Sequence, residues 1–243
     1  MWSGTILFVV SEMAINKNRR LSVASWNVLA ERFVLEDRYA YAGAVMEPKL
    51  RRALIKVNVA ELISNFDVVV LCEMEEDLAA EISESTPEAS FFGGGGTGVL
   101  LISKLGGDFT SMAMFGRRVA WVDVPSPSGT VRVVGVHLRW DKDGTISRSS
   151  WGMLERKIVT PRSVIAGDIN ISFERIGAGE QWGAYWLENS AYVDGNWVNV
   201  DVISSNFGTV SGVSTGYEAF EPIPNGSWPS DHRALGAEIT YDD

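Results

Sequence analysis

Short apolar runs separated by polar turns dominate this chain, which predicts many strands and few helices. Residues 67–72 form a continuous apolar run rich in valine, typical of a strand that is buried on both faces. We predict strands at 21–26, 67–72, 99–103, 119–124, 131–137, 163–166, 198–204 and 234–240, and helices at 50–63, 76–85 and 149–159. This balance indicates an α+β fold with layers built on antiparallel or mixed sheets.

The predicted helix at 50–63 is amphipathic, with basic residues between its apolar positions. The apolar positions that recur at helical spacing are Leu50, Ala53, Leu54, Val57, Ala60 and Ile63. Two turns are equally clear. Residues 125–129 predict a hairpin connection, and residues 194–196 (Asp-Gly-Asn) predict a tight turn. Residues 93–96 are four glycines without the lysine and following helix of a P-loop, so they indicate a loop rather than a phosphate cradle.

At 243 residues, without a Pro/Gly/Ser-rich linker, the chain predicts one domain over 21–243 and an N-terminal extension or edge strand over 1–20. The apolar run at 6–10 is too short to span a bilayer, and it lacks a basic segment before it and a small-residue cleavage site after it. We therefore expect no signal peptide. Cys72 is the only cysteine, which excludes an intrachain disulfide and favours a reducing, cytoplasmic location.

The net charge of −10 argues against a broad basic surface for duplex nucleic acid. Basic residues do gather locally, around residues 17–20, 49–56 and 139–157. A nuclease with segregated charge therefore remains compatible with the composition.

The two histidines of the chain both lie at the edges of predicted strands. His137 ends the run at 131–136, and His232 precedes the run at 234–239. Histidine is the side chain whose charge changes most easily near neutral pH, so this placement indicates an active site. The alternatives are a hydrogen-bonded core histidine at His137 and a lone surface histidine at His232.

Carboxylates follow or interrupt several of the same strands. Glu73 ends the buried run at 67–72, where a carboxylate is costly unless it is paired or binds a metal; the alternative is a charge that has reached solvent. Asp168 and Asn170 lie on one side of an extended segment. There Asp168 could accept a proton from water and Asn170 could donate to a phosphate oxygen, unless the pair simply forms an Asx turn.

Asp201 interrupts an apolar alternation, and a carboxylate there could hold one nitrogen of a histidine and fix its tautomer. The alternatives are an exposed strand residue at Asp201 and the competing Asp194, which is better explained by the turn. Asp231 and His232 offer a metal ligand and a cation side by side.

Taken in order, these residues resemble the endonuclease/exonuclease/phosphatase superfamily, which has the deoxyribonuclease-I-like fold. The matching segments are SWNV at 25–28, VLCEM at 70–74, GVHL at 135–138, AGDIN at 166–170, VDVI at 200–203 and PSDHRAL at 229–235. Residues 98–104 (GVLLISK) resemble the middle strand of that family. The resemblance implies a four-layer α/β sandwich, with two packed mixed or antiparallel sheets flanked by helices.

The sequence departs from that family at three positions. Cys72 stands where glutamine is more common, Ile169 where phenylalanine is more common, and Leu29 where some members carry aspartate. Leu29 points away from the abasic-site endonuclease branch. Residues 27–33 look more like the deadenylase-like branch.

The resemblance implies hydrolysis of a phosphodiester with Mg²⁺ or Mn²⁺. The implied metal residues are Asn27, Glu73 and Asp231. The implied catalytic residues are His137, Asp168, Asn170, Asp201 and His232. In this scheme Asp168 activates water, Asp201 holds His232 on the phosphate, and His137 assists there or protonates the leaving group.

Four residues near the histidines are candidates for substrate binding. Trp140 and Trp228 could stack on bases, with core packing as the alternative, and Arg139 and Arg148 could steer phosphates. We expect a monomer that acts on RNA or another single-stranded nucleic acid, away from membranes. The competing functions are hydrolysis of a small phosphate ester, a DNA endonuclease, and a catalytically inactive binding module, against which the intact Glu73 and Asp168 speak.

Overall fold

The computed structural model describes residues 20–34, 36–94, 96–187, 189–216 and 223–241. The extension predicted at 1–20 lies outside the described residues except for Arg20, which begins the first strand. Within the described ranges, no helix is both long and apolar enough to cross a membrane.

The first sheet contains six strands in the order β13-β14-β1-β2-β4-β3. Their bounds are β1 Arg20–Asn27, β2 Val68–Glu75, β3 Ala89–Gly94, β4 Thr97–Ser103, β13 Thr209–Gly212 and β14 Leu235–Thr240. β1 and β2 pair in parallel, and the other neighbours pair antiparallel.

The second sheet also contains six strands, in the order β5-β6-β7-β8-β12-β9. Their bounds are β5 Asp108–Met114, β6 Arg117–Ser126, β7 Gly129–His137, β8 Ser163–Asp168, β9 Gly183–Tyr185 and β12 Asp201–Ser205. Here β7 and β8 form the parallel pair. A separate hairpin joins β10 Ala191–Val193 to β11 Asn196–Val198. Its turn residues Asp194 and Gly195 both have positive φ, as a two-residue hairpin turn requires.

Three α-helices of ten or more residues cover the sheets in the described part of the chain. They are α1 Pro48–Asn65, α2 Glu76–Ser85 and α3 Thr145–Lys157. Short helical segments occupy Glu31–Phe33, Glu36–Tyr39, Ala40–Met46 and Phe173–Ile176. Pro48 occupies the first turn of α1, and the Glu47 carboxylate accepts a hydrogen bond from the Leu50 amide, which fixes the start of that helix.

The core has the layers that the sequence predicted. Val23, Val70 and Val133 belong to the cluster between the two sheets. The opposite faces of β1 and β2 pack with residues of α1 and α2, and the second sheet packs on α3. The run at 68–72 is continuously apolar because both of its faces are covered. The predicted four-layer sandwich with two mixed sheets flanked by helices is therefore confirmed.

Two local predictions were wrong. On α1, Leu50 and Val57 of the predicted apolar stripe are exposed, whereas Arg51 and Asn58 are buried with Ile55. The chain packs the Arg51 face inwards because its guanidinium finds partners there. The strand predicted at 198–204 is also two strands, β11 and β12, because the Ser190 hydroxyl accepts hydrogen bonds from the Val200 and Asp201 amides and the chain breaks there.

Candidate active site

Three neighbouring strands of the second sheet end at the same place and bring three site residues together. His137 at the end of β7 lies opposite Asp168 at the end of β8, and Asp168 lies opposite Asp201 at the start of β12. Gly167 permits this approach. Its φ is 143°, and a Cβ atom there would overlap the Val136 carbonyl oxygen. The register of the sheet thus sets the spacing of the three side chains.

The first sheet contributes Asn27 and Glu73 from adjacent strand ends. A register shift between Leu71 and Met74 interrupts the pairing of β2 with β4, and Glu73 there has φ of 55°. Such a bulge re-aims the side chain of a strand residue. The Ala30 amide donates to Glu73 Oε2 (3.0 Å), which fixes the turned carboxylate.

The segment before β14 carries Asp231 and His232 and is anchored on both sides. Trp26 Nε1 and Trp228 Nε1 both donate to the His232 carbonyl oxygen, at 3.1 and 2.6 Å. The Ser230 hydroxyl donates to the Asn27 carbonyl oxygen (2.7 Å). The segment is therefore fixed to the end of β1, next to Asn27.

His232 and Asp201 form a buried pair. His232 Nδ1 lies 2.8 Å from Asp201 Oδ2, and Nε2 faces Asp168 Oδ2 at 3.9 Å. Burial by itself lowers the pKa of His232, but the charge and hydrogen bond of Asp201, with Asp231 and Asp168 nearby, raise that pKa well above its ordinary value. His232 is therefore the charged histidine of the site at neutral pH.

His137 lies beside the carboxylates but has the opposite electrostatics. Its Nε2 atom is 3.4 Å from Glu73 Oε1 and 3.7 Å from Asp168 Oδ2. Burial, with the positive charges of Arg117, His232 and Arg32, lowers the pKa of His137 to about 3. A neutral imidazole is a poor proton donor, so the predicted role of His137 as the acid for a leaving group stays a prediction that this low pKa does not favour.

Asp168 is the most buried carboxylate that faces the cleft. Burial raises its pKa to about 7; the charge of His232 opposes that rise, and the charges of Asp201 and Glu73 add to it. The backbone amide of Asn170 donates to Asp168 Oδ1 (2.8 Å), and the side-chain Nδ2 of Asn27 donates to Asp168 Oδ2 (3.1 Å). A carboxylate with a pKa close to neutral is suited to accept a proton from water.

Asn170 follows with φ of 55°, a backbone conformation that is uncommon outside glycine and clusters at functional sites. Its Nδ2 atom donates to the Leu138 carbonyl oxygen (2.8 Å). An amide has two donor hydrogens, so this bond orients the side chain and leaves the second hydrogen for a ligand.

Asp231 contributes a further oxygen. The Tyr39 hydroxyl donates to Asp231 Oδ2 (2.7 Å), while the buried Oδ1 has no hydrogen-bond partner in the described part of the chain. Burial raises the pKa of Asp231, and burial with the charge of Asp231 raises the pKa of Tyr39. A buried carboxylate oxygen without a donor is costly and marks a place for a ligand.

These groups open into a cleft of about 610 Å³, within the range of small-molecule sites. Glu73, Asp168, Asp231 and His232 lie on its floor. Its walls are mainly apolar and aromatic, and they include Leu29, Phe33, Val193, Val198, Val200 and Trp140.

The four predicted substrate residues differ in placement. Trp140 is 66% exposed at the cleft wall, as base stacking requires. Trp228 is only 3% exposed and its ring packs 4.6 Å from that of Trp26, so base stacking is corrected to core packing. Arg139 and Arg148 are exposed but are absent from the described residues that line the cleft, and Arg148 instead donates to the Asp143 carbonyl oxygen.

The donor set on the cleft floor fits a hard divalent cation. Glu73, Asp168 and Asp231 place three carboxylates there, and Oδ1 of Asp231 receives no hydrogen bond from the described residues. Mg²⁺ uses one or two protein carboxylates and keeps several waters. Asn27 Oδ1 accepts one hydrogen bond from the Leu29 amide and keeps a second lone pair, so its predicted place at the metal stays a prediction; its Nδ2 donates to Glu73 and Asp168. These two hydrogen bonds also tie Asn27 to both carboxylates.

Asp168, Asp201 and His232 also offer atoms within 4.8 Å of one another, close enough to hold a cation. The 2.8 Å bond between Asp201 and His232 argues against that use, since a cation there would break it.

Sequence reasoning missed three residues that shape the site. Tyr39 holds Asp231, and Arg38 lines the cleft, where its guanidinium pairs with Asp194 Oδ1 (2.9 Å). Buried Arg51 donates to the carbonyl oxygens of Val28, Leu29 and Pro229 and pairs with Glu31. No local pattern identifies them, because their partners are distant in sequence.

No protein-family model matches the chain, and no curated protein matches it in sequence. Solved structures do match. ANGEL2, described as a 2′,3′-cyclic phosphatase in complex with adenosine-2′,3′-vanadate, aligns with TM-score 0.66 at 14% identity, over 90% of this chain and 95% of that one. Danio rerio TDP2 complexed with a single-strand DNA product gives 0.60 at 14%, over 92% and 99%. An endonuclease/exonuclease/phosphatase family protein from Bacteroides thetaiotaomicron gives 0.62 at 13%, over 92% and 98%.

These alignments cover nearly the whole of each chain, so they compare complete folds rather than shared fragments. They confirm, at the level of the fold, the resemblance carried by the six sequence segments. The chain therefore has the fold of the endonuclease/exonuclease/phosphatase superfamily, with the ordered carboxylates, asparagines and histidines gathered at one end of its two sheets.

Proposed function

We propose that this protein is a hydrolase of phosphodiesters that uses Mg²⁺ or Mn²⁺. The observation that carries the proposal is the hydrogen-bonded pair of Asp201 and His232 next to Asp168, with Glu73 and Asp231 on the floor of the same cleft. A candidate general base (Asp168), a charged histidine (His232) and two carboxylates suited to a metal ion thus surround the same cleft. This is the equipment that attack of water on a phosphate requires.

Each residue has a role in that reaction. Asp168 accepts the proton of the attacking water, for which a pKa of about 7 is suited. The charged imidazole of His232, held by Asp201, stabilises the negative charge that develops on the phosphate and can give its proton to the leaving oxygen. Asn170 donates its second amide hydrogen to a phosphate oxygen.

Glu73 and Asp231 would hold the metal, with Asn27 and the Ala30 amide orienting the carboxylates around it. When bound, the cation would supply Lewis-acid polarisation of the phosphate. Without the cation, three carboxylates and one charged histidine share the floor of the cleft. The excess of negative charge there favours binding of a divalent cation.

For the substrate we propose RNA or another single-stranded nucleic acid. The apolar wall and the exposed ring of Trp140 suit an unstacked base next to the phosphate. The net charge of −10 disfavours sequence-blind binding to duplex DNA. The structural neighbours include one complex with a single-strand DNA product and one with an adenosine derivative, which supports a nucleotide ligand.

A second candidate is hydrolysis of a small nucleotide ester. The cleft favours it by size, since about 610 Å³ is enough for one nucleotide but not for a duplex.

One activity screen tests both candidates. The purified protein is assayed with Mg²⁺, Mn²⁺ or chelator against single-stranded RNA, single-stranded DNA, duplex DNA, a 2′,3′-cyclic nucleotide and a small diester. Metal-dependent cleavage of the single strands supports the first proposal, and cleavage of the cyclic nucleotide alone supports the second. No hydrolysis of any of them by the wild-type protein, with Asp168→Asn as the matched blank, would refute the enzymatic proposal.

A further inference from the structure

A second depression lies next to the catalytic cluster and has the opposite electrical character to the cleft. We call it the arginine groove and define it by Thr97, Gly98, Arg117, Arg118 and His137. The described residues that line it include no carboxylate, although the protein carries a net charge of −10. The lining of this small depression, about 20 Å³ in volume, is therefore cationic.

Arg117 and Arg118 are available to an anion. Arg117 is half-buried and Arg118 is exposed, and neither forms an ion pair with a carboxylate in the described part of the chain. A third guanidinium lies at the rim, where Arg32 donates to the Thr97 hydroxyl (2.9 Å). A guanidinium group can donate two parallel hydrogen bonds to a phosphate. A phosphate is therefore a better partner for it than a single water molecule.

The glycine-rich hairpin between β3 and β4 shapes this groove. Gly94 and Gly98 both line it, and Arg118 Nε is only 3.8 Å from where a Cβ atom of Gly94 would be. A side chain at position 94 would therefore contact the Arg118 side chain. Gly94, part of the glycine run that does not form a P-loop, thus lies beside an arginine pair.

His137 connects the two depressions. It lines the arginine groove, and its Nε2 atom lies 3.4 Å from Glu73 Oε1 and 3.7 Å from Asp168 Oδ2, both of which face the cleft. The catalytic cluster therefore lies between an apolar cleft and a cationic groove. A mononucleotide would occupy one of them, whereas a polynucleotide passing over the cluster would occupy both.

From this arrangement we propose that Arg117 and Arg118 bind a non-scissile phosphate of a single-stranded polynucleotide whose scissile phosphate lies at the catalytic cluster. The proposal rests on the proposed function for the position of the scissile phosphate. It adds that the substrate is a chain of at least two phosphates, with its base in the cleft and its next phosphate in the arginine groove.

Binding of a fluorescent eight-nucleotide RNA tests this without relying on turnover. Anisotropy is measured with Mg²⁺ in an Asp168→Asn background, with and without Arg117→Ala/Arg118→Ala. We expect Kd to rise at least tenfold. We also expect the slope of log Kd against log salt to fall by roughly 0.7 for each lost phosphate contact. The double lysine variant, Arg117→Lys/Arg118→Lys, should keep most of the salt dependence of Kd, because it keeps both positive charges.

Arg20→Ala is the matched control, because Arg20 is exposed at the opposite end of β1 from Asn27. It should change neither Kd nor slope. A background protein that does not bind the RNA, or a double alanine variant that binds it with unchanged Kd and slope, would overturn the proposal. A double variant with a lowered thermal midpoint and no rescue by lysine would also overturn it, by indicating a structural role.

Hydrolysis gives a second, separable measurement. With active protein, the ratio of kcat/KM for the oligonucleotide to kcat/KM for a diester with a single phosphate should fall at least tenfold in the double alanine variant. An unchanged ratio would contradict a second phosphate site. If the wild-type protein hydrolyses nothing, the proposed function fails, and the anisotropy result still decides whether the arginine groove binds the strand.

Discussion

His232 Nδ1 and Asp201 Oδ2 lie 2.8 Å apart, with both side chains buried, although 31 residues separate them in the chain. The pair leaves Nε2 of His232 as the atom that faces Asp168 and the cleft. The tautomer and orientation of the ring are thus decided by a residue that does not itself line the cleft.

This relationship predicts that Asp201→Asn lowers kcat strongly and KM little. Asparagine cannot stabilise a charged imidazole and can favour the wrong tautomer, a defect that in related arrangements costs roughly 10²–10⁴-fold in turnover. Steady-state kinetics on the preferred substrate measures it. Asp194→Asn is the comparison, because Asp194 is exposed in a turn and contacts Arg38. A larger loss of kcat at Asp194 than at Asp201 would contradict the assignment.

Asp168→Asn should abolish nearly all turnover and yet stabilise the protein. Its folded pKa of about 7 is above the unfolded value of about 3.9, so ionisation of this carboxylate costs stability progressively as pH rises from about 4 to 7. Removing the charge should therefore raise the thermal midpoint by a few degrees at pH 8 and hardly at all at pH 4, measured in chelator. Asp168→Ala should also lose turnover while it keeps the fold. A midpoint at pH 8 that falls in Asp168→Asn would disprove the electrostatic account.

Metal dependence is expected to reside in Glu73. Chelator should abolish activity and Mg²⁺ or Mn²⁺ should restore it, while Glu73→Gln should raise the metal concentration needed for half-maximal activity by at least tenfold, because an amide is a weaker ligand than a carboxylate. Glu75→Gln, two residues along the same strand, is the control and should leave the metal requirement unchanged. Full activity in excess chelator would remove the metal from the mechanism.

The two tryptophans predict opposite phenotypes. Trp140→Ala should weaken binding of single-stranded nucleic acid by about 1–3 kcal/mol with little change in stability, because its exposed ring is available for stacking. Trp228→Ala should instead destabilise the protein by roughly 3–5 kcal/mol, because it removes a buried ring packed on Trp26. Anisotropy with labelled RNA and denaturant unfolding separate the two effects. Equal stability losses in both variants would show that the distinction is wrong.

Arg51→Met should cost roughly 3–5 kcal/mol of stability. The buried guanidinium satisfies three carbonyl oxygens and Glu31, and methionine fills the volume without any donor. Urea unfolding measures the loss. Arg52→Met is the matched control: Arg52 is the next residue of α1, pairs with Asp77 and Glu81 at the surface, and should cost less than about 1 kcal/mol. Similar losses at both positions would contradict the buried network.

Much of the fold and of the site follows from the sequence alone. Alternating or continuous apolar runs determine which segments become strands, because a residue at every second position faces the same layer. Polar residues next to those runs were the candidates for a functional site, among them Glu73, His137, Asp168 and His232. A titratable group beside a buried strand is costly unless it has a partner or a ligand. The Asp-Gly-Asn turn at 194–196 was also predictable, because positive φ restricts the residues that form it.

Tertiary structure decided what depends on partners distant in the chain. The helix at 48–65 buries Arg51 rather than Leu50 because carbonyl oxygens of other segments meet the guanidinium, and periodicity cannot anticipate them. Packing on Trp26 made Trp228 a core residue while it left Trp140 in solvent. The environments of the two histidines were decided in the same way. The sequence marks both equally, but His232 lies 2.8 Å from the Asp201 carboxylate, which raises its pKa, whereas burial and nearby positive charges lower the pKa of His137.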